Sequence, residues 1–209
     1  MHRSMADPIQ FIVYEVTDSF VYGKILLSDM LSIAAEIEEE VAGLTIEPAS
    51  IGNEDDDEEY PDVRSSKLAW LKESTEALDK VAQVVNNVNC NVFNLDISDA
   101  PPEYQYTLYL NPNDHYDWHK DTYPEDLDEV DYTRTLSLSL CLSPAEMYEG
   151  AELFIQDGSE SNIRVFKMQF GEFVIFPSTV EHRVNALRSG ERASLVVWYG
   201  HNNPHFKAG

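Results

Sequence analysis

The sequence has few positive charges and no long apolar run. Its 14 lysines and arginines stand against 38 aspartates and glutamates, which gives a net charge of −24. A chain this acidic repels polyanions, so we predict neither a nucleic-acid partner nor a membrane partner. No stretch approaches the roughly 20 apolar residues of a membrane span, and the N-terminus lacks the apolar core of a signal peptide.

Cysteine is also scarce. Cys90 and Cys141 are the only two cysteines among the 209 residues, and they show neither metal-ligand nor redox spacing. Two reduced thiols are typical of a cytoplasmic protein, and we expect that location. The chain length fits one domain that can bury a sizeable interior.

The first hundred residues predict a helical support lobe. Residues 11–16 favour a strand, because they are rich in β-branched and aromatic side chains. Between Ser28 and Val41, apolar residues recur at steps of three and four, which indicates an amphipathic helix. Residues 64–71 favour a short strand. A second helix follows, with its apolar stripe at Leu78, Val81, Ala82 and Val85.

From residue 91 onward the pattern changes to short strands separated by turns. The predicted strands are 91–97, 104–110, 133–143, 151–156, 163–168, 172–177 and 193–200. Many short strands without intervening helices are typical of a jelly roll. We therefore predict an α+β, mainly β fold in which 1–209 form one domain. Its double-stranded β-helix (jelly-roll) core spans 101–200, and helices within 1–100 support it.

Two segments, 114–123 and 178–194, carry the candidate functional site. His119 and Asp121 stand two positions apart, so in an extended segment both side chains point the same way. His182 follows 61 residues after Asp121, far enough for a second strand to close the site. Two imidazoles and one carboxylate are the ligand set of a facial iron(II) site with open coordination positions.

Arg192 adds a candidate anion-binding group ten residues after His182. Its guanidinium can hold a carboxylate with two parallel hydrogen bonds. Arg192 also shares one strand face with Ser194, Val196 and Trp198. Alone, an H-x-D pair has little specificity and Arg192 could be a surface charge. Together, iron ligands and a carboxylate anchor indicate an oxygenase that consumes a keto acid.

With these residues the sequence resembles the iron(II)/2-oxoglutarate-dependent dioxygenases, and among them the prolyl-4-hydroxylase-like (PKHD-type) hydroxylases. The resemblance covers roughly residues 60–200 and includes RSSKLAWL, GEFVIFPSTVEHRV and GERASLVVW. The chain departs from the family at Gly150-Ala151, where the family often has two glycines. It also reads NPND before the metal motif, where the family often has a glycine.

The resemblance implies roles for individual residues. His119, Asp121 and His182 would be the catalytic iron ligands, and Arg192 would bind the far carboxylate of 2-oxoglutarate. Tyr109 and Ser194 would complete the cosubstrate pocket. The implied cofactors are Fe(II), 2-oxoglutarate as cosubstrate and O2, with ascorbate as an optional addition.

The implied reaction is hydroxylation of a peptide or protein residue, above all proline, with release of succinate and CO2. Two alternatives remain open at this point. Arg192-Ala193-Ser194 also resembles the R-x-S of enzymes that oxidise small molecules. A catalytically silent jelly-roll binding protein is the other alternative.

An acidic segment, 124–131, follows the iron motif directly and contains five aspartates and glutamates. One interpretation is a lid that closes over the substrate and favours peptides that are basic near the target residue. The other is a solvated loop whose charge only aids solubility.

Overall fold

The computed structural model describes residues 8–49, 63–71, 75–97, 100–122 and 132–202. Among these described residues, strands make up 45% and helices 21%, which confirms the mainly β prediction. The helices are α1 (Leu27–Val41) and α2 (Glu76–Val88), with a π-helical turn (Asn89–Phe93) and a 3-10 turn (Ala145–Met147). The strands are β1 (Phe11–Val16), β2 (Val21–Ile25), β3 (Glu47–Pro48), β4 (Arg64–Ser65), β5 (Lys67–Trp70), β6 (Glu103–Tyr109), β7 (His115–His119), β8 (Tyr132–Cys141), β9 (Tyr148–Gly150), β10 (Leu153–Gln156), β11 (Ile163–Phe166), β12 (Glu172–Pro177), β13 (His182–Val184), β14 (Leu187–Gly190) and β15 (Arg192–Asn202).

Two sheets form the core. The major sheet has the strand order β1-β2-β12-β8-β15-β6-β5-β3, and the minor sheet has the order β11-β10-β13-β7-β4. Non-consecutive strands lie side by side in both sheets, as in the predicted jelly roll. A second apolar cluster, which includes Tyr109, Leu153, Phe176 and Val184, draws its members from both sheets.

The two helices pack against the major sheet. Met30 and Ile33 of α1 and Leu78 and Val81 of α2 belong to one apolar cluster with leucines of β8. Leu31, in contrast, is 57% exposed although the sequence pattern places it on the same apolar stripe. No helix within the described ranges is long and apolar enough to cross a membrane.

The first hundred residues contribute strands as well as helices. β1 and β2 extend the major sheet at one edge, and β3 and β5 extend it at the other. β4 joins the minor sheet. The predicted division into a helical support within 1–100 and a jelly-roll core within 101–200 stays a prediction.

The strand predicted for residues 91–97 is wrong. Helix α2 continues into the π-helical turn, and the chain then reverses at Asn94, whose φ is 51°. The Asn89 side chain holds this reversal, because its Nδ2 donates to the Leu95 carbonyl at 2.9 Å. Its Oδ1 accepts from the Leu95 N–H at 3.0 Å. A buried amide thus replaces the pairing that a strand would need.

The strand predicted for residues 64–71 is split at Ser66. β4 pairs with β7 in the minor sheet, whereas β5 pairs with β6 in the major sheet. This one segment therefore connects the two layers. The switch places Arg64 between them, where it is only 8% exposed.

Strand β8 has two buried faces, whereas its alternation of polar and apolar residues is typical of a strand with only one. Leu136, Leu138 and Leu140 enter the helix-side core. Ser137 and Ser139 alternate with them and are buried as well. The serines therefore face the space between the sheets rather than solvent, and that space contains the candidate site.

Candidate metal centre

The three predicted metal ligands meet between β7 and β13. These strands pair so that His182 lies opposite His119. The Nε2 atom of His119 is 3.8 Å from Asp121 Oδ1, and the Nε2 atom of His182 is 3.7 Å from Asp121 Oδ2. One ligand atom from each residue lies within 4.8 Å of the other two, which is close enough for one ion to contact all three.

Backbone carbonyls orient both imidazoles. The Nδ1 of His119 is 2.7 Å from the Asp117 carbonyl oxygen, and the Nδ1 of His182 is 3.0 Å from that of Val180. A carbonyl can only accept, so each Nδ1 carries the hydrogen and donates it. In a neutral imidazole with this hydrogen on Nδ1, the Nε2 atom has a free lone pair, and here it lies beside the Asp121 carboxylate. Such outer hydrogen bonds are typical of histidines that bind metals.

Two buried serines hold the Asp121 carboxylate. Ser137 Oγ donates to Asp121 Oδ2 at 2.6 Å, and the hydroxyls of Ser137 and Ser178 are 2.9 Å apart. The Asp121 N–H donates to the Ser178 carbonyl at 2.9 Å. Both serines are fully buried, so water does not compete for these bonds. The sequence pattern missed them, although the polar positions of β8 could have indicated a second polar face.

The protonation states of His119 and Asp121 suit a metal ion. Burial, together with the neighbouring His182, lowers the pKa of His119 to about 3, so its imidazole is neutral at physiological pH. Burial raises the pKa of Asp121, but His182 and its other charged or hydrogen-bonding neighbours outweigh that effect. The net pKa of Asp121 lies below its usual value, so the carboxylate is ionised. Neutral imidazoles and an ionised carboxylate are the forms that coordinate metals.

Arg192 opens β15 and points into the same cavity. It is 1% exposed, and its Nη1 donates to Ser194 Oγ at 3.3 Å. Its Nε and Nη2 atoms are buried without any hydrogen-bond partner. Within the described ranges no carboxylate forms an ion pair with it. A buried guanidinium in this state fits an anionic ligand, because burying an unpaired charge is unfavourable.

One cavity unites the metal ligands with Arg192. Tyr109 and Ser194 line it, as the sequence predicts, and Arg192 lies over the Tyr109 ring at 5.4 Å. Burial raises the pKa of Tyr109, so its hydroxyl stays protonated and can donate. The apolar lining consists of Leu153, Phe176, Val184, Val196 and Trp198.

The sequence analysis missed a second group of lining residues. Arg64 and Tyr116 line the cavity together with Gln105, Thr107 and Ser139. Arg64 reaches the cavity only because the chain changes sheets at Ser66, and no local pattern indicates that change. The acidic segment 124–131 lies outside the described residues.

The donor set and the buried cation fit iron(II) and a keto acid. Two imidazoles and one carboxylate match the facial ligand set of non-heme iron oxygenases. The two orphaned nitrogens of Arg192 match the needs of a carboxylate in the same cavity.

Comparison with known proteins agrees with this geometry. Residues 104–200 match the family model of the 2OG-Fe(II) oxygenase superfamily. A PKHD-type hydroxylase from Parvibaculum lavamentivorans is 43% identical over 63 residues, which are 30% of this chain and 28% of that relative. The chain thus spans less than a third of the length of the curated relatives that it matches.

Solved structures share the fold. A prolyl-4-hydroxylase from Pseudomonas putida aligns with a TM-score of 0.65 at 20% identity, over 88% of this chain and 93% of that one. A prolyl hydroxylase from Trichoplax adhaerens, in complex with a hypoxia inducible factor peptide fragment, aligns with a TM-score of 0.63 at 14% identity, over 88% and 84%. The family match, the PKHD-type relatives and the shared fold confirm the resemblance of this chain to the 2OG-Fe(II) oxygenases that its sequence indicates.

Proposed function

We propose that the chain is an iron(II)- and 2-oxoglutarate-dependent dioxygenase that hydroxylates a peptide or protein residue, above all proline. The observation that carries the proposal is the cavity itself. It holds the converging ligand atoms of His119, Asp121 and His182 together with the unpaired guanidinium of Arg192. A catalytically silent binding module has no need for this combination.

The three metal ligands have different roles in binding. Each imidazole offers Nε2 because its Nδ1 hydrogen is engaged by a backbone carbonyl. Asp121 supplies the negative charge, and Ser137 fixes the rotation of the carboxylate through Oδ2. Three protein ligands leave coordination positions open for the cosubstrate and for O2.

Arg192 and Tyr109 receive the far carboxylate of 2-oxoglutarate. The Nε and Nη2 hydrogens of Arg192 are free for two parallel bonds, and Ser194 orients the guanidinium through Nη1. The protonated hydroxyl of Tyr109 is a further donor in the same cavity. In this buried setting the ion pair is screened little by water.

Bound iron(II) supplies the oxidising chemistry, in which 2-oxoglutarate and O2 yield succinate, CO2 and a hydroxylated substrate. The protein restricts where this happens. Leu153, Phe176 and Val184 line the cavity with apolar surface, which keeps water from the reacting groups. Ascorbate remains an optional addition that supports the iron(II) state.

A peptide substrate is supported by the structural neighbour that was solved with a peptide fragment. Proline is the favoured target, because two structural neighbours are prolyl hydroxylases. The acidic segment 124–131 leads us to include peptides that are basic near the target. The high negative charge argues against nucleic-acid and membrane partners. The free thiols of Cys90 and Cys141 support a cytoplasmic location.

The test is to incubate the protein with iron(II), 2-oxoglutarate and paired synthetic peptides. One peptide of each pair carries proline, and its control carries alanine at that position. Mass spectrometry should show a gain of about 16 daltons on the prolyl peptide only, with succinate formed in equal amount. If succinate forms with small molecules but not with peptides, the protein is a small-molecule oxygenase and the peptide proposal is wrong. Silence with every substrate would favour a binding module.

A further inference from the structure

Arg64 is a second buried guanidinium in the iron cavity. It is 8% exposed and lines the same cavity as Arg192 and the metal ligands. Within the described part of the chain, no aspartate or glutamate forms an ion pair with it. The cavity therefore contains two cations, and the far carboxylate of one cosubstrate accounts for only one of them.

Neutral groups fix the orientation of Arg64 without neutralising its charge. Its Nε donates to Ser66 Oγ at 3.1 Å, and its Nη2 donates to Gln105 Oε1 at 2.8 Å. Thr107 Oγ1 donates to the same amide oxygen at 3.1 Å and so holds the amide in this orientation. Nη1 donates to no described residue, so part of the guanidinium fork remains available.

An aromatic stack places Arg64 beside the metal ligands. Its Cζ lies 4.5 Å from the centre of the Tyr116 ring. Tyr116 in turn stacks on His119, with ring centres 3.5 Å apart and planes inclined by 16°. One aromatic ring therefore separates the guanidinium from an iron ligand. The Arg64 guanidinium is therefore buried in the cavity, one aromatic ring away from His119.

The two arginines mark different levels of the cavity. Arg192 lies opposite Tyr109, whereas Gln105, the partner of Arg64, lies opposite Val196 in the same pair of strands. Four residues of extended strand, about 13 Å of backbone, separate the strand positions of Arg192 and of Gln105's partner Val196. One small dicarboxylate held at Arg192 therefore leaves Arg64 for another ligand.

We propose that Arg64 binds an acyl oxygen of the oxidised substrate next to the iron. The ligand is either the main-chain carbonyl of a peptide or the carboxylate of a small acid. An oxygen with partial or full negative charge would offset the burial of the cation and use its free donors. The inference rests on the proposed function, because it assumes that Arg192 holds 2-oxoglutarate.

The experiment measures binding rather than turnover. The protein is loaded with Mn(II) and 2-oxoglutarate under argon and titrated by calorimetry with two probes. N-acetyl-proline methylamide offers only carbonyl oxygens, and N-acetyl-proline adds a carboxylate. The wild type should bind at least one probe, and the probe that it prefers identifies the source of the acyl oxygen.

Arg64→Met keeps an apolar stem over Tyr116 but removes the charge and the donors. We expect it to bind the preferred probe at least ~10-fold more weakly, with Kd for Mn(II) and for 2-oxoglutarate within ~2-fold of the wild type. Arg64→Lys keeps the charge on a flexible but shorter side chain and should lose less affinity. Lys67→Met, an exposed position on β5, is the matched control and should bind as the wild type does.

Three results would overturn the inference. The first is equal probe affinity in Arg64→Met and the wild type, and the second is a wild type that binds neither probe. The third is an Arg64→Met variant that loses 2-oxoglutarate, since Arg64 would then serve the cosubstrate. A wild type that fails to bind Mn(II) or 2-oxoglutarate refutes the proposed function itself, so the two failures can be distinguished.

Discussion

At the scale of single residues, Ser137 shows how the candidate metal ligand Asp121 is held in place. It makes the one side-chain hydrogen bond to Asp121 within the described part of the chain. Ser139 lines the cavity from the same strand face but makes no such bond. The two serines therefore form a matched pair for separating ligand support from ordinary burial.

We expect Ser137→Ala to weaken metal binding by roughly 10- to 100-fold, because the Asp121 carboxylate loses its fixed orientation. Titration with Co(II), followed by absorption, measures the affinity without any turnover. Ser139→Ala should bind Co(II) as the wild type does, and Ser137→Thr should recover most of the affinity. Equal affinities in Ser137→Ala and Ser139→Ala would show that the hydrogen bond has no influence on the metal.

Arg192 carries the prediction for the cosubstrate. Arg192→Lys keeps the positive charge but loses the planar fork, so the affinity for 2-oxoglutarate should fall by ~10-fold or more while Mn(II) still binds. Equilibrium titration under argon measures both constants. Arg188→Lys is the control, because the Arg188 side chain is 58% exposed. An unchanged 2-oxoglutarate affinity in Arg192→Lys would exclude the assigned role.

The spacing of residues predicted part of this site and missed the rest for a physical reason. His119 and Asp121 follow from the two-residue period of an extended chain, which is a local property. Ser178 and Arg64 reach the site through tertiary structure. Ser178 contacts Asp121 from a turn, and Arg64 reaches the cavity through the switch between sheets at Ser66. Such contacts depend on distant partners, so no local pattern reveals them.

At the scale of elements, strand β8 contributes side chains to two buried regions on its opposite faces. Its leucines support the helix-side core and its serines face the candidate metal site. The alternating pattern correctly predicted a strand, but a polar face is ordinarily assigned to solvent. The minor sheet covers that face here, and the covering layer comes from residues far away in the chain.

The π-helical turn after α2 supplies a stability prediction. Asn89→Ala removes two hydrogen bonds to Leu95, so we expect the free energy of unfolding to fall by about 1–3 kcal/mol. Urea denaturation measures the change, and the Co(II) affinity should stay unchanged. The control, Asn86→Ala, lies at an exposed helical position and should alter stability by no more than ~0.5 kcal/mol. A similar small change in Asn89→Ala would mean that the side chain does not hold the turn.

At the scale of the whole molecule, the charge of −24 bears on which substrates approach. The acidic segment 124–131 follows the iron motif directly in sequence, so a basic peptide would be attracted toward the site. Exposed charges are screened within about 8 Å at physiological salt. Any preference for basic peptides should therefore weaken as the salt concentration rises.

The acidic segment can be tested by charge neutralisation. In one variant, the aspartates are replaced by asparagine and the glutamates by glutamine at all five positions: Glu125, Asp126, Asp128, Glu129 and Asp131. The turnover ratio of matched basic and acidic peptides should fall toward one in this variant, and high salt should move the wild type in the same direction. A ratio that stays constant in both experiments would show that the segment does not select charge.

The central claim is that His119, Asp121 and His182 bind iron(II), and that the protein uses this iron to convert 2-oxoglutarate to succinate. The most direct measurement is iron(II)-dependent formation of succinate from 2-oxoglutarate by the wild type and two histidine variants. We predict succinate from the wild type and from His115→Ala, whose histidine lies on β7 four residues before His119. His182→Ala should form none above the metal-free background. Succinate formation by His182→Ala at the wild-type rate would contradict the account.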